Sequence, residues 1–292
     1  MSLLPSATEI VCALGLEDQL VGVTHECDFP PSVRSKPVVT SSVLEGFDDS
    51  AEIDRHIRRL IHQGSSIYAL DADRLEALRP DLILTQELCE VCAVSYPIVE
   101  QSVRRLDGPV QLVSLEPESL DDLYQTINSL GSLTGRPSQA SAVIQSLADR
   151  VKVVVNRVSA RPRRRVTCLE WVEPLFNSGH WTPQLVALAG GQDLLGTAGT
   201  PAKQIDRTAL DDAQPEVVVV MACGFSLERS VAEVARRRSS LQTDGAELWV
   251  VDGNAYFSRP GPRLVDSVEI MAGILHPEAI ARPSPDAACR VV

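Results

Sequence analysis

The chain has 292 residues and 31.7 kDa, with 44% hydrophobic and 23% charged side chains, enough apolar surface for two modest lobes or one large α/β domain. Its 39 acidic against 27 basic residues give a net charge of −12, which argues against a nucleic-acid partner and against anionic membranes. No apolar run reaches membrane-spanning length, and the stretch from Met1 to Pro5 has neither a basic segment nor a cleavage site. The expectation is therefore a cytoplasmic chain, or an extracytoplasmic one if its start has been trimmed. Seven cysteines, an odd number in a chain this long, read as thiols rather than as a disulfide scaffold.

Short β-rich runs alternate with amphipathic helical stretches. Strands are predicted near Ser2–Leu4, Gln19–Val23, Pro37–Val39, Ser66–Ala69, Asp81–Leu84 and Gln111–Ser114. Helices are predicted between them at Ala7–Leu14, Asp49–Gln63, Asp71–Leu78, Tyr96–Leu106 and Leu120–Leu133. Ser6 with Glu9 three residues on reads as a capping box for the first helix. A long helix over Ser138–Val158 follows, its apolar stripe placed on Val143, Leu147, Val151 and Val155. The second set is strand Val166–Leu169, helix Pro183–Leu188, strand Glu216–Met221, helix Leu227–Arg237, strand Glu247–Val251 and helix Arg263–Leu275. The Pro- and Ala-rich tail from Arg282 reads as loose.

Strand–helix alternation with crossover spacers predicts an α/β fold: two Rossmann-like lobes with mostly parallel sheets, bridged by one long helix, with a ligand cleft between lobes. The expected divisions are an N-terminal lobe over 1–136, the linking helix over 137–160, a C-terminal lobe over 161–280 and a tail over 281–292.

In open parallel sheets ligands bind beyond the carboxyl ends of the strands, and the chemically unusual residues of this chain fall there. In the first lobe the candidate ligand contacts are Ser6, His25, Glu26, Cys27 and Glu87. In the second they are Glu170, Trp171, His180, Trp181, Phe225, Asn254, Tyr256, Phe257 and Arg259. Aromatics are only 4% of the chain, so their concentration in strand-end loops carries information. Cys27, Cys89, Cys92 and Cys223 with His25 form a candidate metal set, for zinc or an iron centre, in which only Cys89-x-x-Cys92 has a recognised ligand spacing. Cys12 and Cys289 read as inert and Cys168 as core. Asp252 and Asn254 beside Gly253 also have a plainer reading as turn formers.

Several segments in order resemble the class III periplasmic binding proteins of ABC importers, nearest to their cobalamin-binding branch. They are SLLPSATEIVCALGLEDQLVGVTHECDFPP, LDADRLEALRPDLILT, LFNSGHWTPQLVALAGGQDLL and YFSRPGPRLVDSVEIM. The resemblance runs from Ser2 to about His276. It implies two α/β lobes bridged by a long helix, a small molecule clamped at the strand ends, and an ABC importer permease as partner. Where the cobalamin binders offer small polar, tyrosine and tryptophan side chains, this chain has His25, Glu26 and Cys27, then Gln86, Glu87 and Cys89. Those groups suit a metal ion or a metal chelate.

Three functions follow. The first is a non-catalytic binder of a corrinoid such as cobalamin, another tetrapyrrole or a metal chelate, with His25 or a thiolate as axial ligand and Arg259 pairing an anionic group. The second is a direct zinc or iron–sulfur site on the cysteines. The third is an enzyme using Cys27 with His25, or His180 with Glu170, as nucleophile and base.

Overall fold

The computed structural model describes the whole chain except residues 45, 48, 64, 65, 88–94, 105, 107, 242 and 292. Its contacts divide the chain into two units. The first comprises Met1–Phe47, Glu52–Pro117 and Tyr124–Val143; the second comprises Asp48–Ala51, Glu118–Leu123 and Ile144–Val292.

In chain order the first part runs α1 (Pro5–Ala13), β1 (Thr40–Ser42), α2 (Ser50–His62), β2 (Tyr68–Leu70), α3 (Ala72–Leu78), β3 (Leu82–Thr85), α4 (Tyr96–Val103), β4 (Gln111–Ser114) and α5 (Leu120–Leu133). The long helix α6 (Pro137–Val158) comes next. Then follow β5 (Arg164–Val172), β6 (Leu175–Asn177), α7 (Thr182–Leu188), β7 (Gly191–Asp193), α8 (Arg207–Ala213), β8 (Val217–Val220), α9 (Leu227–Arg236), α10 (Arg238–Leu241), β9 (Glu247–Val251), α11 (Leu264–Leu275) and β10 (Ala288–Val291).

In the first unit β3 and β4 pair in parallel, with Ile83 opposite Leu112. Backbone bonds extend this ladder: Leu3 N–H donates to Leu84 O, Ser2 N–H to Gly22 O and Val39 N–H to Val23 O. The expected strands at Ser2–Leu4, Gln19–Val23 and Pro37–Val39 thus shrink to single bridges, Ser2 with Leu84 and Val23 with Val38. Prolines are one reason, because Pro5 and Pro37 have no N–H for a ladder. A 3-10 turn over Glu17–Gln19 takes the start of the second. The core of this unit is Met1, Leu3, Val39, Leu75, Ile83 and Val99.

The capping box is not formed. Leu4 is the N-cap of α1, Pro5 takes the first helical position, and Ser6 lies inside the first turn. Proline there needs no N–H partner and presets φ, which moves the helix start one residue ahead of the Ser6 cap. The fourth helix ends at Val103, three residues short of the expectation, ahead of Gly108-Pro109.

In α6 the buried residues are Ala140, Leu147, Val151, Val154 and Val158 rather than a strict four-residue repeat. A 3.6-residue turn cannot hold a period of four over three turns, so the stripe steps from Val155 back to Val154.

The second unit holds a six-stranded sheet in the order β10-β9-β8-β5-β6, with β7 also on β5. Strands β5, β8 and β9 are parallel, and Val217–Val220 is buried along its whole length as expected of a strand covered on both faces. β5 runs three residues beyond the expected end and changes partner on the way. Arg164–Val166 pairs with β7 in parallel, whereas Leu169–Val172 pairs with β6 antiparallel. The register with β6 shifts between Leu169 and Trp171, leaving Glu170 as the extra residue of a bulge. The tail is not loose: Ala288–Val291 adds an antiparallel edge strand to β9, and Asp252 N–H donates to Ala287 O. Cys289 and Val291 pack against the core of the sheet while Arg290 between them is exposed, as in a half-covered strand.

Candidate functional site

In the first unit the loop after Val23 carries His25, Glu26 and Cys27, and each is held differently. The His25 backbone N–H donates to Thr40 Oγ1 at 3.1 Å, and its ring Nδ1 lies 2.7 Å from the same oxygen. That hydroxyl oxygen has two lone pairs, so with Nδ1 as donor it accepts both bonds and Nε2 keeps its own lone pair. The Tyr68 ring stands 5.5 Å from the His25 ring, and its hydroxyl donates to Glu26 Oε1 at 3.0 Å. Thr24 Oγ1 accepts the Glu26 N–H at 2.9 Å and shapes the turn. Cys27 is buried, with Sγ 3.0 Å from Thr8 Oγ1, which in turn donates to Ser2 Oγ at 2.9 Å. Cys27 therefore packs into the base of the loop, while His25, Glu26 and Tyr68 form a half-buried polar cluster at the strand ends.

Ser6 is buried within α1. Glu87 is exposed and its N–H meets the Glu116 carboxylate. Cys89 and Cys92 lie outside the described residues. Among the described residues no group of three or more His, Cys, Asp or Glu side chains is arranged to hold a metal ion.

In the second unit the aromatic residues of the strand-end loops make two ring contacts, Trp171 with Phe225 and His180 with Trp181. Trp171 meets Phe225 edge-on at 5.1 Å, and the Arg229 guanidinium lies 3.7 Å over the Phe225 ring. Phe225 is 2% exposed, so it supports Trp171 from beneath. Trp171 Nε1 donates to Glu173 O at 3.1 Å and to Ser50 O at 3.3 Å. Trp181 Nε1 donates to Phe257 O at 2.8 Å, tying its ring to the loop after β9.

That loop is a single π-helical turn over Gly253–Phe257, capped by Asp252, whose carboxylate accepts the Ala255 N–H at 2.7 Å. Its glycine is obligatory: a Cβ on Gly253 would stand 2.3 Å from Ala222 O. Asn254 Oδ1 accepts from Arg259 Nη2 at 3.0 Å, and Arg259 is 5% exposed, so that pair fixes the loop. Phe257 is buried and Tyr256 is half-buried, with Arg263 5.7 Å from its ring. Cys223 is exposed on the turn after β8.

Glu170, placed by the bulge, accepts the Gly179 N–H at 2.9 Å and the Thr182 hydroxyl at 3.4 Å. Burial pushes its carboxyl up to about 7 against those two donors, and the charge of Asp193 adds to the rise. His180 stands in the left-handed region at φ +46. Its N–H donates to Thr200 O at 2.7 Å, its carbonyl accepts from Gly199 N–H at 2.9 Å, and its ring lies 5.7 Å from that of Trp181.

Thr40, Tyr68, Arg229 and Asp193 were not among the sequence candidates. Arg229 was within reach of pattern reasoning, being four residues beyond Phe225 on the first turn of α9. Thr40 and Tyr68 were not, since antiparallel pairing of β1 with β2 brings them beside His25 and no local motif marks it.

A model of the family described as "Periplasmic binding protein" matches residues 1–240. The chain belongs to the periplasmic binding protein family. Among its relatives, the vitamin B12-binding protein of Yersinia pestis (strain Pestoides F) is 25% identical over 229 residues, 75% of this chain and 68% of that protein. Among solved structures, a periplasmic heme binding protein from Pseudomonas aeruginosa superposes with TM-score 0.73 at 22% identity, covering 100% of this chain and 96% of that one. The periplasmic vitamin B12 binding protein of Vibrio cholerae gives TM-score 0.66 at 20% identity, covering 94% of both chains. Membership of the periplasmic binding protein family makes this chain a solute-binding protein, and its fold is shared with both structures.

Proposed function

We propose that this protein binds a metal tetrapyrrole, a corrinoid first among them, as the solute-binding partner of an ABC importer permease. The observation that carries this reading is the His25 imidazole, held with Nδ1 2.7 Å from Thr40 Oγ1; with Nδ1 as donor, Nε2 is the nitrogen with a lone pair for a metal. Histidine ligands of metals are commonly oriented in this way by a second hydrogen bond on the other ring nitrogen. A cobalt or iron centre in the solute would take its axial bond from Nε2, and the metal belongs to the solute.

The aromatic residues of the second unit, taken by themselves, suit the same class of solute. A tetrapyrrole offers a broad apolar face, and Trp171 backed by Phe225, with Trp181 and Tyr256, supplies rings for it. The names of the relatives and structural neighbours, vitamin B12 and heme binders, point to the same solute class.

The test is equilibrium binding of hydroxocobalamin, cyanocobalamin and haemin, read by quenching of tryptophan fluorescence. The corrinoid reading expects saturable one-to-one binding of hydroxocobalamin, tighter than cyanocobalamin, whose cobalt position is held by cyanide. Binding of haemin alone would move the solute to haem. No binding of any of the three at micromolar protein would overturn the proposal.

A further inference from the structure

Beneath the turn that carries His180 and Trp181 lie two desolvated carboxylates, and they are not equivalent. Asp193, at the end of β7, receives donors on both oxygens. Leu195 N–H and Gly196 N–H reach Oδ1 at 3.2 and 3.0 Å, and the Ser178 hydroxyl reaches Oδ2. Glu170 receives both of its hydrogen bonds on Oε1, from Gly179 N–H and Thr182 Oγ1. That pattern fits an ionised Asp193 beside a Glu170 that carries a proton on Oε2, since a neutral carboxyl accepts through its carbonyl oxygen and keeps the other for O–H.

The turn between them is held against strain. His180 stands at φ +46, a conformation that disfavours a side chain with a Cβ. A Cβ on Gly179 would come within 2.4 Å of Ala202 N and 2.5 Å of Thr200 O. The bulge in β5 exists at Glu170 alone and turns that side chain toward the turn's donors. Two backbone bonds to Thr200 and Gly199 hold the outer side of the turn, and Glu170 holds its inner side.

We propose that Glu170 is the positioning residue of the His180–Trp181 turn and acts in its neutral form, so that setting the turn for solute takes up one proton. The geometry asks for this because ionising Glu170 puts a second negative charge beside Asp193 in a desolvated place. Opening the turn relieves that by letting water reach the carboxylate. The charge acting on Glu170 is that of Asp193 on β7, and Glu170 in turn acts on the buried thiol of Cys168, two residues back on β5. From α7 and the turn itself it accepts from the neutral donors Thr182 and Gly179, and the same turn carries the His180 imidazole. Burial pushes the Asp193 carboxyl up as well, while its donors on both oxygens pull the other way. The raised Glu170 carboxyl agrees with the same picture.

The proposal rests on the tetrapyrrole reading only for its binding readout, so the experiment has two arms. In the first, tryptophan emission of the solute-free protein is followed from pH 5.5 to 9. The wild type is expected to show one transition near pH 7, and Glu170→Gln, a permanent neutral mimic, to show none. In the second, the Kd for hydroxocobalamin is measured over the same range. Wild-type Kd should be level below the transition and rise by up to about tenfold per pH unit above it. Glu170→Gln should bind more tightly than wild type at pH 8.5, and their ratio cancels any ionisation of the probe. Thermal melts confirm that the variant is folded. An emission transition that survives in Glu170→Gln, or a wild type without one, overturns the proposal. The expected emission behaviour without hydroxocobalamin binding upholds the proton-linked turn and defeats the solute reading instead.

Discussion

Glu233 on α9 contributes stability that depends on pH. Its side chain is 0% exposed, yet it is charged, because four groups donate to it. Ser50 gives both its N–H and its hydroxyl, Arg237 Nε lies at 2.8 Å and Arg236 Nη2 at 2.5 Å. Burial raises the cost of ionisation, but the donors from Ser50, Arg237 and Arg236 together hold the carboxyl at about 2, below its ordinary 4.5. A depressed folded value means stability that is present above pH 4.5 and lost as pH falls toward 2. The full difference corresponds to roughly 3 kcal/mol, and the solvent around the two arginines reduces this to about 2 kcal/mol.

Glu233→Gln keeps the shape and removes the charge. It should lower stability at pH 7 by about 2 kcal/mol, and by less than half of that at pH 3. For a unit of this size the loss at pH 7 is a fall of about 4–8 °C in Tm. The assay is urea denaturation at both pH values, with Ser50→Ala as a partial version costing about 1 kcal/mol. An unchanged midpoint at pH 7, or an equal loss at both pH values, would mean that the Glu233 charge contributes no stability through these donors.

Four further outcomes follow from the same structure. Gly179→Ala should destabilise by at least about 2 kcal/mol, measured by thermal melts, because the added Cβ meets backbone at 2.4–2.7 Å rather than a movable side chain. His180→Gly should raise stability by about 1 kcal/mol through relief of the left-handed strain, and weaken solute binding by removing a ring beside Trp181. Trp181→Phe keeps a ring but loses the bond to Phe257 O, so Kd for the solute should rise by roughly five- to tenfold in a fluorescence titration. Deleting residues 282–292 strips β10 from β9 and exposes a long edge; the shortened protein should melt lower and sediment as aggregate, where a dispensable tail would leave both unchanged.

Much of the architecture was legible because periodicity and punctuation agree in this chain. Leu120–Leu133 and Glu247–Val251 have the bounds that their patterns predict, and Pro80 before Leu82-Ile83-Leu84 marks a helix end and a buried strand. The failures have physical causes. Prolines and one 3-10 turn cut the first three strands to single bridges, and β10 was hidden in a Pro-rich tail whose pairing partner lies almost 40 residues upstream. The strand-end loops announced themselves through unusual side chains, but their internal bonding did not. Cys27 turned inward to Thr8, and His25 found Thr40, only because β1 and neighbouring segments meet in space. Glu170 stands out in sequence through its place beside Trp171; the β5 bulge that turns it beneath the Gly179 turn depends on pairing with β6, which a single strand's sequence does not encode.

Coordination of the solute by His25 is tested by a UV–visible titration of wild type and His25→Ala with hydroxocobalamin, its cobalt kept as Co(III). Coordination through His25 Nε2 predicts a saturable shift of the corrin bands in wild type and its loss in His25→Ala, with Thr40→Val weakening it by freeing the ring to rotate. Band shifts identical in wild type and His25→Ala would contradict coordination by that residue.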